Sequence, residues 1–342
     1  VLQTSLGYNL AMKAPVLQKG TPCDPLSRRP EEDETSMRVA VIGLGGIARK
    51  AYLPLLGTWE GIELTLCSRT AAHVECLQNK YHLSGGTTHL EDLLACKPQA
   101  AFVLTPNESH REIVTSLLQS GIDVFVEKPA TVHSAETRGL AELADVRGRI
   151  LMVGFNRRYA PLHQKARQLW GERPIELCTL EKYRQGAANT SLFAHYVDDT
   201  IHLIDLLRFF CGDGQALSSV QQLCEGKLVG AASVIRFPDG GHGLVATCLE
   251  AGRWGESYAL HGGGASLYIN AFSEVRLLTA DGEQVWRESG GDWTPMLQAR
   301  GFAAQIQHFF DCVQSRQQPL TSGWEAFKTQ RLVEDLVACV RE

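Results

Sequence analysis

A chain of 342 residues is too long for one small domain and suits two of ordinary size. Its 44% hydrophobic and 21% charged content fits a globular protein, and 33 basic against 38 acidic residues leave a net charge of -5. That balance argues against a general nucleic-acid binder or a polybasic membrane binder, and no apolar run approaches the ~18 residues of a membrane span.

Residues 1–36 carry proline and charge without periodicity, as in Arg28-Arg29-Pro30 and the acidic run Glu31 to Glu34. Such a stretch cannot bury enough apolar surface to order itself, so a disordered leader or appended tail is expected. A strand over 37–42 follows and runs into Gly43-Leu44-Gly45-Gly46-Ile47-Ala48, where a helical stretch begins. Strands are then predicted at 62–67, 100–104, 122–126 and 150–153, and helices at 70–81, 91–95, 107–119 and 134–144. Strands alternating with helices of this length predict a parallel sheet covered on both faces, a doubly wound α/β domain over 37–154.

The pattern changes after Gly154. One long helix over 195–210 precedes short alternating segments at 231–237, 243–249, 258–260, 266–269 and 275–278. Pro238-Asp239-Gly240-Gly241 and Ala280-Asp281-Gly282 supply turn signals between them. Helices over 301–314 and 324–340 end the chain. Residues 155–342 therefore read as a second α/β domain with a mainly antiparallel sheet. Its terminal helices could return to the first domain. The ten cysteines lie far apart and form no C-x-x-C pair, which suits reduced thiols of a cytoplasmic protein without a metal site.

Four places carry chemistry. In Gly43-Leu44-Gly45-Gly46-Ile47-Ala48 the first glycine allows a tight turn and the second admits a pyrophosphate to the backbone. The small Ala48 lets helix and strand pack closely. About twenty residues on, an acidic residue would bind the ribose diol of NAD, but the sequence reads Ser68-Arg69-Thr70. Hydroxyls beside a guanidinium suit the 2′-phosphate of NADP, although an arginine here is otherwise a solvated surface residue. Glu127-Lys128-Pro129 ends a strand at the carboxyl edge, where such sheets bind ligands, so Lys128 is either a surface lysine or one aimed into the crevice. On the long helix Asp198, His202 and Asp205 fall within an arc of roughly 60°. That stripe is a structural Asp–His pair, a capped helix start, or an acid/base pair in a wet cleft.

In combination these pieces resemble the Gfo/Idh/MocA family of nicotinamide-dependent oxidoreductases. The matching residues are Gly43 to Ala48, Thr105-Pro106-Asn107-Glu108-Ser109-His110, Glu127-Lys128-Pro129 and Asp198 through His202 to Asp205, in the family's order. Within the family, Val153 to Tyr159 and Asp198 to His202 look most like the MviM-type (YceM-like) oxidoreductases. The resemblance implies a Rossmann domain followed by an α/β domain whose open sheet mediates a homodimer or higher homo-oligomer. It also implies that nicotinamide and a small-molecule substrate meet between the two, with Lys128, Asp198 and His202 catalytic. Cofactor contacts are expected from Gly43, Gly45, Gly46, Ile47, Ala48, Ser68, Arg69, Thr70, Thr105, Asn107, His110, Glu127 and Lys128, and substrate contacts from Lys128, Arg157, Asp198 and His202. The lysine–proline bond of relatives is often cis. Relatives acting on sugars or inositols carry glycines around the Asp-to-His stretch, whereas Phe193-Ala194-His195 precedes it here and Thr200 lies inside it.

The expected reaction moves hydride between nicotinamide, NADP favoured and NAD admitted, and a secondary alcohol or ketone of a small polyol or sugar-like substrate. His202 would exchange the hydroxyl proton, with Lys128 as the alternative base; Asp198 would orient His202, and Lys128 would hold the reacting oxygen. The alternatives are a cofactor-binding regulator or scaffold without net turnover, or a redox-assisted glycoside-cleaving enzyme.

Overall fold

A computed structural model of the protein describes residues 36–186, 188–287 and 295–340. The leader expected before Met37 lies, up to residue 35, outside the described residues. The first sheet contains β1 (Met37–Ile42), β2 (Ile62–Cys67), β3 (Gly85–Thr87), β4 (Ala100–Val103), β5 (Asp123–Val126) and β6 (Leu151–Val153). Its order is β3-β2-β1-β4-β5-β6, with every neighbouring pair parallel. Every residue of β4 and β5 is buried, as expected of central strands covered on both faces. The strand order reverses between β1 and β4, which opens a crevice at their carboxyl ends.

β3 was not anticipated, because two of its three residues are glycines and carry no pattern. A Cβ on Gly85 would come within 2.6 Å of Thr65, and one on Gly86 within 2.6 Å of Val74. Close approach to β2 and to the helix Ala71–Tyr81 therefore explains both glycines.

The second sheet contains β7 (Leu177–Gln185), β8 (Gln215–Cys224), β9 (Lys227–Arg236), β10 (His242–Cys248), β11 (Glu250–Gly262), β12 (Ala265–Asn270), β13 (Glu274–Thr279) and β14 (Gly282–Arg287). Its order is β14-β13-β12-β11-β7-β10-β9-β8, antiparallel throughout except for β7 beside β10. The mainly antiparallel second sheet is thus as expected. β7 escaped sequence reading because its inward positions are Cys178, Leu180 and Lys182, and a lysine interrupts the apolar alternation. β8 and β14 are mostly polar and exposed.

The long helix is one continuous run: Leu192–His195, a wider π-helical turn over Tyr196–Thr200, then Ile201–Cys211. Near the end of the chain, the helix Phe302–Ser315 returns to the first sheet. Phe309 and Phe310 pack against Phe102 with ring centroids 5.2 and 5.8 Å away, in a core shared with Val39, Val41 and Leu66. Each such buried side chain contributes roughly 1.5–3 kcal/mol. The helix Gly323–Ala338 joins the helix Ser134–Arg147, where Thr137 donates to Gln330 at 2.6 Å and Glu334 accepts from the Ser134 N–H at 2.8 Å. Among the described residues, no helix is long and apolar enough to cross a membrane.

Candidate active site

The glycine loop leaves β1 at the strand-order reversal. Gly43 has φ +91°, and a Cβ there would lie 2.7 Å from the Leu104 carbonyl carbon and the Thr105 nitrogen, so only glycine fits. Nothing lies within 4 Å of the Cβ positions of Gly45 and Gly46. Ile47 is exposed and Ala48 is fully buried, with a π-helical turn over Ala48–Tyr52. An open cradle of bare backbone at a helix start fits a dinucleotide's pyrophosphate.

At the end of β2, the Ser68 N–H donates to the Thr87 carbonyl at 3.2 Å. Thr70 precedes the helix Ala71–Tyr81 without a side-chain capping bond, so its hydroxyl is not used there. Arg69 is exposed and makes no ion pair among the described residues. Burial, with Asp92 and Glu91 nearby, pushes the preceding Cys67 thiol up to about 11.

The other rim follows β4 and β5. Ser109 donates to the Thr105 hydroxyl at 2.8 Å, and Asn107 opens a short helical turn. His110 and Glu127, both expected to contact the cofactor, are otherwise engaged. His110 is fully buried, with its ring nitrogens 2.9 Å from the carbonyls of Pro129 and Thr105; it ties the two rim loops together. The Glu127 carboxylate accepts from the Tyr52 hydroxyl and from the Lys128 N–H at 3.0 Å. Burial holds it above its ordinary range, against the pull of Tyr52 and Lys128. Gln305 in turn donates to the Tyr52 oxygen at 3.1 Å, so the returning helix braces this strand end.

Lys128 follows, with its bond to Pro129 cis. Its ammonium reaches across to the long helix and donates to the Asp198 backbone oxygen and, at 3.2 Å, to the Asp198 carboxylate. Lys128, Asp198 and His202 line one cavity of about 230 Å³, and Arg157 lines it as well.

One expectation for the helical stripe requires correction. Asp198 does not orient His202: it accepts from Lys128, while His202 Nδ1 is buried with no hydrogen-bond partner. Asp205 is not on the cavity. It pairs with both Arg158 Nε and Nη2 at 2.8 Å and accepts from Thr329 at 3.0 Å. The stripe assumed ideal α spacing, whereas the π-helical turn containing Asp198 shifts that residue relative to the helix after it. Burial, together with Arg157, Lys128, Lys182 and Arg184, holds the His202 imidazole well below its ordinary pKa.

Sequence reading missed much of the cavity wall. Lys182 and Arg184 on β7 line it, with Asp199, Asn156, Phe272, Phe302 and Arg300. Lys182 donates to Asp199 at 2.8 Å and lies 3.5 Å from Glu256 on β11. Burial and the neighbouring Arg157 outweigh these carboxylates and lower its pKa to about 8. Asp199 also accepts from Arg184 Nε at 3.0 Å; burial would raise it, but Arg184 and Lys182 hold it well below the carboxylate range. Arg157 grips Glu256 with two nitrogens, Nε at 2.9 Å. Glu256 is buried, yet Arg157 and Lys182 depress it to about 2. A charged residue at an inward position of a strand was the available signal, for Lys182 as for Glu256. Nothing local marks Arg300.

Comparison with known proteins agrees with this fold. Residues 37–155 match the model of the Gfo/Idh/MocA oxidoreductase family, NAD-binding Rossmann fold. The YceM protein of Salmonella typhimurium is 29% identical over 331 residues, covering 88% of this chain and 97% of that protein. The scyllo-inositol 2-dehydrogenase (NAD(+)) of Bacillus subtilis is 27% identical over 253 residues, 66% of this chain and 71% of that one. A crystal structure of a Gfo/Idh/MocA family oxidoreductase from Vibrio cholerae superposes with a TM-score of 0.78 at 27% identity, covering 89% of this chain and 97% of that one. With the glycine cradle and the strand order, these matches show that residues 37–155 carry the NAD-binding Rossmann fold of the Gfo/Idh/MocA oxidoreductases, and that the chain as a whole is similar to oxidoreductases of that family.

Proposed function

We propose that the protein moves hydride between a nicotinamide dinucleotide, NADP in preference to NAD, and a secondary alcohol or ketone of a small polyol or sugar-like substrate. The observation that carries this reading is the meeting of Lys128, Asp198 and His202 on one small cavity at the carboxyl edge of the parallel sheet. The scyllo-inositol 2-dehydrogenase relative supports an alcohol carbon as the reacting centre.

The nicotinamide, when bound, supplies the hydride acceptor or donor. Lys128 donates a hydrogen bond to the reacting oxygen, and that bond strengthens as negative charge grows there. Asp198 positions the Lys128 ammonium through its backbone oxygen and its carboxylate. His202 exchanges the hydroxyl proton, accepting it on oxidation and returning it on reduction. Gly43, Gly45, Gly46, Ile47 and Ala48 cradle the pyrophosphate, with Ser68, Arg69 and Thr70 at the adenosine end and Thr105 and Asn107 at the rim.

Residues 37–154 serve as the dinucleotide domain, and the second sheet carries substrate binding and association. Leu177, Val220, Leu223, Trp254, Tyr268 and Val285 are exposed apolar residues on its strands, which supports a homodimer through that sheet. The free cysteines among the described residues support a cytoplasmic setting. The test is a panel of polyols and sugars with NADP and NAD, followed by absorbance near 340 nm. Reduction of cofactor by at least one alcohol supports the proposal. Tight cofactor binding without turnover in either direction would replace it with a sensor or scaffold.

A further inference from the structure

We propose that the substrate is an anion, a small polyol bearing a carboxylate or phosphate, and that Arg300 holds its oxyanion. The inference rests on reading the cavity as the hydride-transfer site.

The first argument is charge. Lys128, Arg157, Lys182, Arg184 and Arg300 line the cavity, five cations in all. Against them stand Asp198 and Asp199 on the wall and Glu256 behind it, so five minus three leaves an excess of two positive charges. A neutral polyol leaves that excess unanswered in a partly desolvated cleft, where uncompensated charge is costly. One anionic group answers it.

The second argument is the identity of the unanswered cation. Lys128 pairs with Asp198, Arg157 with Glu256, and Lys182 and Arg184 with Asp199. Arg300 alone among them has no carboxylate partner among the described residues. Its guanidinium carbon lies 5.1 Å from the Trp254 ring centroid and 5.2 Å from that of Phe272. Its backbone carbonyl accepts from the Asn156 amide at 2.9 Å, which fixes the stem. Two aromatic rings flank the guanidinium without using its N–H groups. A guanidinium fork with no carboxylate on it among the described residues is the arrangement that takes a carboxylate or phosphate bidentately.

Size narrows the class. A cavity of about 230 Å³ falls below the ~300–1,000 Å³ of pockets for drug-sized ligands, so the occupant is monosaccharide-sized.

The experiment measures calorimetric binding to the NADP-loaded protein of matched pairs: D-glucuronate and D-gluconate against D-glucose, and D-glucose 6-phosphate against the same parent. At least one acid should bind about tenfold or more tightly than its neutral parent, an advantage that shrinks with added salt. The carboxylate and phosphate arms decide which oxyanion the site takes. Arg300→Gln should abolish that advantage while leaving glucose and NADP binding unchanged, and Arg300→Lys should keep part of it if charge contributes beyond the fork. Equal binding of acids and parents, or an advantage that survives Arg300→Gln, overturns the proposal. So does a loss of NADP affinity in Arg300→Gln with the acid preference intact, which would assign Arg300 to the dinucleotide. Turnover of neutral polyols without acid preference sinks the anion and leaves the oxidoreductase reading standing. Tight acid binding without hydride transfer to or from either cofactor does the reverse.

Discussion

Arg157 and Arg158 are neighbours in one short helical turn, Asn156–Tyr159, and both are buried. Arg158 enters a closed network. It grips Asp205 with two nitrogens and lies 3.4 Å from Glu325, while Arg208 and Lys328 share Glu325 and Asp213. Three cations meet three carboxylates, and the contacts tie the helix Ile201–Cys211 to the helix Gly323–Ala338. Arg157 enters the network around the cavity, where five cations meet three carboxylates. Equal charge makes a clamp between helices; unequal charge leaves a field for something that is not protein. Burial alone therefore does not separate a structural arginine from one at a site. The partner count does.

The largest test compares two residues three apart on one helix. His202 faces the open network, so His202→Ala should lower turnover about 10²–10⁴-fold while cofactor affinity and melting temperature hold. Asp205 belongs to the closed one. Asp205→Ala strands a buried guanidinium and should cost roughly 3–5 kcal/mol of stability, read by denaturant melts, with turnover per folded molecule little changed. If both variants lost activity and stability alike, the two networks would be one.

Arg69 offers a third arrangement, an arginine without a carboxylate but on the surface. On the proposed reading it pairs with a 2′-phosphate beside the Ser68 and Thr70 hydroxyls, a charge-assisted contact worth roughly 1.5–3 kcal/mol before solvent screening. NADPH should therefore bind about ten- to a hundredfold more tightly than NADH at low salt. Arg69→Ala should remove most of the gap and leave NADH unaffected, and added salt should narrow it. Fluorescence titration of both cofactors checks this, and equal affinities at low salt would mean that Arg69 faces water.

These differences follow how the two ends of the site are made. The proposed dinucleotide end is read from short consecutive runs, so Gly43 to Ala48 and the strand-end Lys128 could be picked out from sequence, and the parallel sheet was readable in place. His110 and Glu127 share that stretch of chain, but sequence position does not reveal that their polar atoms meet carbonyls and Tyr52. The substrate end is assembled from far-apart segments. Lys182, Glu256 and Arg300 each look like an ordinary strand or loop residue until folding brings them together, and Lys182 even disguised its own strand. The π-helical turn at Tyr196–Thr200 is a local departure that a fixed 100° step could not register.

The smallest effect tests whether the field around the cavity is shared. Lys182 is buried on β7, and its pKa is lowered from an ordinary value near 10.4 to about 8 in the folded protein. Below pH 8 the lysine is protonated in both folded and unfolded chains, and the cost of burying its charge is fully present. Between about pH 8 and 10 the unfolded chain holds more protons than the folded one, so this group's contribution to stability rises with pH. The same deprotonation takes one cation from the open network, leaving four against three. Affinity for an anionic substrate should then fall by roughly fivefold, the worth of one solvated charge near contact distance. Melting temperature and acid affinity are thus expected to move in opposite directions from pH 7 to 9. In Lys182→Met, which also removes the buried charge, both trends attributable to this residue should flatten. Acid affinity that stays level in the unsubstituted protein while neutral-parent affinity also stays level would mean that Lys182 serves only Asp199 and Glu256, and belongs with Arg158 on the closed side of the comparison.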